Sequence, residues 1–112
     1  MPAFPAVTDD TFAALVAAQG STTVLEFWTP GCSSCRQLAR VLGRLEADLP
    51  DGVRIMTVAA HENPVLVDRL EVRSVPTVVI LDGDEPVDRM TGVERRQVLR
   101  ERILRSANAA DR

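Results

Sequence analysis

Cys32-Ser33-Ser34-Cys35 is the segment that most restricts what this chain can become. It follows the apolar run Thr23-Val24-Leu25-Glu26-Phe27-Trp28 and the breaker Pro30-Gly31, and it precedes a helical stripe of Leu38, Leu42, Leu45 and Leu49. A buried strand that turns sharply into an amphipathic helix is thereby predicted, with both cysteines at the helix start. At a spacing of i and i+3 the two thiols can reach each other. The first lies where backbone N–H groups and the helix dipole favour a thiolate. They are the only cysteines among 112 residues, so all thiol chemistry is concentrated there.

The rest of the chain reads as alternating elements. Ala3–Val7 is at most a short edge strand, because it is rich in proline. Thr8 can cap a helix, with Asp9 and Asp10 in its first turn, an apolar face of Phe12, Leu15 and Val16, and Gly20 at its end. Residues 22–29 form a strand, and the helix of the cysteines runs from about 32 to 49. Pro50-Asp51-Gly52 is a turn, and residues 53–59 form a second buried strand. Asn63 can cap a short helix from Pro64 to Leu70. Val78–Leu81 and Val87–Thr91 make a hairpin about Asp82-Gly83-Asp84. After Gly92 a last helix is predicted over 94–105, with Val98, Leu99 and Ile103 inward and a frayed tail from Ser106. The order implies a right-handed βαβ unit followed by a hairpin and a helix: an α/β fold with a mixed central sheet flanked by helices on both faces. The length suits one domain, 1–112.

Composition excludes several functions. A net charge of −3 gives no general attraction to nucleic acid or membranes. No apolar run reaches the ~20 residues that span a bilayer. The segment Met1–Ala6 has neither the basic nor the apolar part of a secretory signal, so a cytoplasmic location is expected. In that compartment a lone CxxC points to redox or metal chemistry rather than a structural staple. A structural zinc site wants four ligands, and two Cys and one His fall short, so no metal is expected. All 13 basic residues are Arg, which leaves no lysine to pair with a buried acid.

The chain resembles the thioredoxin family from about Thr8 to Ile103. Glu26-Phe27-Trp28 leading into Cys32-x-x-Cys35 is similar to that family's acid-Phe-Trp strand and redox motif. Val75-Pro76-Thr77 resembles its cis-proline turn, and Gly92 falls where it has a glycine after the last strand. The resemblance implies the thioredoxin fold and a protein-disulfide oxidoreductase. Cys32 would be the exposed nucleophile and Cys35 the buried resolving thiol. Pro76 would be cis against the disulfide, and the Val75 backbone would pair with a substrate strand. Glu26 would stand in place of the family's buried aspartate. The expected partners are proteins bearing disulfides, with a flavin-dependent reductase or a small thiol to recycle the pair. No bound cofactor is needed, and a monomer is expected. The chain departs from the pattern at Ser33-Ser34 (usually Gly-Pro), Gly31 (usually Trp), Arg40 (usually Pro) and Thr57 (usually Lys).

Each site residue carries a plainer alternative. The cysteines can be inert. Glu26 can point to water from an edge strand, or be buried with a raised pKa and relay protons to Cys35. Trp28 can be ordinary core, or cover the disulfide and shape a substrate groove. Pro76 can be trans. His61, in a polar stretch, reads as a surface residue. A rival from another class is a binding or redox-sensing module on the same fold, with little turnover.

Overall fold

The computed structural model describes residues 4–110. Among these the sheet has four strands: β1 (Thr22–Trp28), β2 (Val53–Ala59), β3 (Thr77–Asp82) and β4 (Glu85–Thr91), in the order β2-β1-β3-β4. β1 and β2 run parallel, while β3 is antiparallel to both β1 and β4. The helices are α1 (Phe12–Leu15), α2 (Ser33–Leu45), α3 (Pro64–Arg69) and α4 (Arg96–Ala110). This is the mixed α/β sandwich that the element order predicted.

Period-two alternation along β1 divides the core. Leu25 and Phe27 face α1 and α3, where they meet Phe12, Val16, Met56, Val58, Leu66 and Val79. Val24 faces the other way, onto Leu38, Leu42 and Leu45 of α2 and Leu99 and Ile103 of α4. Every one of these side chains is buried. At roughly 25 cal/mol per Å² of apolar surface, the two clusters are the main source of stability.

Several boundaries differ from the sequence reading. The first strand shrinks to a single bridge of Ala6 to Thr57, because only Val7 N–H and Pro5 C=O reach the β2 edge; Ala3 lies outside the described residues. Regular helix begins at Phe12 rather than after Thr8. Thr8 Oγ1 still accepts from Thr11 N–H at 3.2 Å, closing the turn ahead of it. Asp9 leaves that turn: its carboxylate accepts from Val65 and Leu66 N–H at 3.2 and 2.9 Å, so Asp9 caps α3. Asn63, the expected cap, is buried and instead accepts from Asp9 N–H and donates to Ala59 C=O. α2 ends at Leu45 and tightens into a 3-10 turn over Glu46–Asp48. α4 runs to Ala110, not Arg105, because Ala107 is buried and ties the last turns down; residues 111 and 112 lie outside the described residues.

Candidate active site

The carboxyl end of β1, the amino end of β3 and the end of β4 come together at one edge of the sheet. Phe27 pairs with Thr77 and Thr77 with Thr91, so Trp28, Pro76 and Gly92 each follow at the same level. Trp28 also pairs with Ala59, which brings the turn carrying His61 alongside. Gly31, at φ 76°, turns the chain from β1 into α2 through a conformation that side chains with Cβ resist.

Cys32 is the N-cap of α2 and is bonded to Cys35, with Cα atoms 5.2 Å apart. Its Sγ accepts from Cys35 N–H at 3.2 Å and from the Ser34 hydroxyl at 3.4 Å. No acidic residue sits in the first turn of α2 to oppose the helix dipole. Cys35 is fully buried on the same stripe as Leu38 and Leu42, whereas Cys32 is half-exposed. The pair is therefore graded from solvent to core within one helical turn.

Glu26 lies two residues beyond Val24 on the face that α2 covers. It is 0% exposed, and neither carboxylate oxygen has a hydrogen-bond partner in the protein. Burial pushes its pKa up from 4.5 to about 7. Thr57, its register neighbour on β2, is also 0% exposed with an unpartnered Oγ1. The solvated edge-strand alternative for Glu26 is thus ruled out.

The Val75–Pro76 peptide is cis. Pro76 is buried, Val75 is half-exposed, and Gly92 N–H donates to Pro76 C=O at 2.9 Å. Beside Val75 lies a groove of about 290 Å³ whose walls include Thr29, Ala60, His61, Val72 and Arg73. His61 is more involved than the sequence reading allowed. Its ring meets Trp28 edge-on, with centroids 5.8 Å apart. The signal that could have found it is positional, since it stands two residues past the strand end that pairs with Trp28. Among the described residues no three His, Cys, Asp or Glu side chains gather as metal ligands would.

Residues 3–105 match the family model for thioredoxin. The chain belongs to the thioredoxin family. It is 33% identical to thioredoxin 1 of Synechococcus elongatus over 87 residues, covering 78% of this chain and 81% of that one. It is 32% identical to thioredoxin of Staphylococcus saprophyticus over 97 residues, covering 87% and 91%. The crystal structure of chloroplastic thioredoxin z superposes with a TM-score of 0.77 at 22% identity, over 91% of this chain and 92% of that one, which shows the shared fold. With the CxxC pair joined at the start of α2, this thioredoxin is a thiol-disulfide oxidoreductase. The binding-module alternative is not favoured. Thioredoxins act on protein disulfides and are returned to the dithiol by a reductase. Among the described residues no helix is long and apolar enough to cross a membrane.

Proposed function

We propose that this thioredoxin reduces protein disulfides with Cys32 as nucleophile, Cys35 as resolving thiol and Glu26 as proton acceptor. The observation that carries the assignment is the gradient of exposure: Cys32 caps the helix at the surface, while Cys35 is sealed in the core. Once reduced, Cys32 has Cys35 N–H and the Ser34 hydroxyl at hand to stabilise a thiolate. The thiolate attacks one substrate sulfur, the substrate S–S bond breaks, and its electron pair leaves on the other sulfur as a thiolate. Cys35 then gives its proton to the Glu26 carboxylate and attacks Cys32 Sγ. The mixed disulfide breaks, the second substrate thiolate leaves, and the Cys32–Cys35 bond forms. Two electrons pass to the substrate, and its two thiolates take up protons.

Trp28, Val75, Pro76 and Gly92 form the binding surface in this reading. An extended substrate segment adds alongside the Val75 backbone as an extra strand, with an apolar side chain in the groove beside it. Gly92 supports this: a Cβ there would meet nothing within 4 Å, so the surface above it is open to a substrate backbone. The unit that acts is the single domain 1–112, working as a cytoplasmic monomer and recycled by a flavin-dependent reductase or a small thiol.

Trapping tests the assignment. Reduced Cys35→Ser protein, mixed with insulin, should accumulate a covalent adduct through Cys32, and Cys32→Ser protein should form none. Adducts of equal yield through Cys35 would reverse the roles.

A further inference from the structure

α2 turns Cys35, Leu38, Leu42 and Leu45 into the core. At about 100° per residue its opposite face carries Arg36, Arg40 and Arg44, which stand roughly one turn apart and span about 12 Å along the axis. All three are exposed, and among the described residues none of their guanidinium groups is in an ion pair. α2 itself holds no acidic residue. Asp48, the acid four residues past Arg44, is taken by Arg96 at 2.8 Å and Arg100 at 3.9 Å, so α4 extends the positive face rather than neutralising it. Like charges four residues apart repel and weaken a helix. Arg36 also lies near the amino end of α2, where the helix dipole disfavours a cation. Within the chain these three charges meet only unfavourable terms.

We propose that Arg36, Arg40 and Arg44 form a docking stripe for protein substrates that carry an acidic surface beside the disulfide to be reduced. The proposal rests on the reading of Cys32 as the sulfur that meets the substrate. The stripe starts one residue past Cys35, so a partner seated on it has its disulfide at the helix start. The surroundings of Cys32 are low. Gly31 and Ser33 on either side of it are small and exposed, and a Cβ on Gly31 would meet nothing within 4 Å. A folded surface can therefore come down to the sulfur and the helix together. The groove beside Val75 is walled by residues outside α2, so the extended segment and the acidic surface are held at separate places. Charge decides the kind of partner. The chain as a whole carries −3, yet α2 has three of its 13 Arg and none of its 16 acidic residues. An acidic partner is repelled by the net charge of the chain and drawn to the helix that begins at the reactive sulfur, which orients it as it arrives. Guanidinium groups then pair with carboxylates through two parallel hydrogen bonds.

The test uses disulfide-linked peptide pairs whose dyes brighten on reduction, alike around the disulfide but tailed with runs of Glu, Gln or Lys. At about 20 mM salt the reduced protein should react with the Glu-tailed pair about tenfold faster than with the Gln-tailed pair, and with the Lys-tailed pair more slowly still. At about 0.5 M salt the three rates should converge. Arg36→Gln combined with Arg40→Gln should bring the Glu-to-Gln ratio down to about twofold. Arg95→Gln combined with Arg105→Gln removes the same charge from exposed positions elsewhere and should leave the ratio as in the wild type. Equal falls from both double variants would make the preference one of net charge and overturn the stripe. A loss of rate shared by all three tails would mean that the arginines act on the Cys32 thiolate, and would overturn it as well. Capture of single-stranded RNA by the wild type but not by the first double variant, with no preference among the tails, would assign the stripe to phosphate instead. If the wild type treats the three tails alike while Cys32→Ser protein is inert, the stripe fails and the nucleophile stands. Cys32→Ser protein that reduces the peptides as fast as the wild type would remove both readings together.

Discussion

Glu26 carries an ionisable group into the middle of a strand whose other side chains are apolar or hydroxylic. Its folded pKa of about 7 lies above the ordinary 4.5, and burial is the cause. A raised folded pKa means that protonation favours folding. The favourable contribution is fully present below about pH 4.5 and is lost as pH rises through about 7. One pKa unit is worth about 1.4 kcal/mol, so the swing is on the order of 3 kcal/mol. Glu26→Gln cannot ionise. Its stability relative to the wild type should therefore climb between pH 4.5 and 7 and level off above 8, as read from urea midpoints across pH. A flat difference would mean that the carboxyl is solvated. The sequence left Glu26 open between water and core, and the central place of β1 between β2 and β3 decided for the core. Nor was the missing partner legible, because it depends on the β2 register. That register sets Thr57 beside Glu26 and sends Arg54 to Thr23, where its Nη2 donates to Oγ1 at 3.1 Å.

The short helix α3 shows how far an element's stability can depend on distant chain. With six residues it cannot persist alone. Asp9 satisfies two of its leading N–H groups from 56 and 57 positions away. Arg89 of β4 donates to Leu70 and Glu71 C=O at its other end, where Glu71 takes φ 54°. Asp9→Ala should cost about 1 kcal/mol, with faster hydrogen exchange at Val65 and Leu66 and little change in β1 or β3. Uniformly faster exchange would show that α3 does not open separately. Residue preferences located α3, through Pro64 at its first position. They named Asn63 as its cap because a local candidate was in view. The actual cap is brought up by the fold, and local preference carries no signal for it. In the same way α4 outruns its sequence limit, since Ala107 looks neutral until the folded chain buries it.

For the molecule as a whole, the two apolar clusters share one sheet: β1, β2 and β3 each supply side chains to both, and β4 adds Met90 to the cluster beneath α2 and α4. A Cα radius of gyration of 12.6 Å sits close to the ~13 Å of a compact domain near 100 residues. Unfolding should therefore be a single cooperative event. Trp28 fluorescence and far-ultraviolet circular dichroism should give coincident denaturant midpoints, and separated midpoints would divide the chain into two units. The sequence by itself determined the strand-to-helix turn at Cys32 and the sides of the helices that face inward. These follow from periodicity and from Gly and Pro stereochemistry, which act over a few residues. Only the tertiary structure decided what meets across strands and between distant turns: Thr57 beside Glu26, His61 against Trp28, and Asp9 on α3. Such contacts depend on register and on the closure of loops, and many sequences with the same periodicity would close them differently.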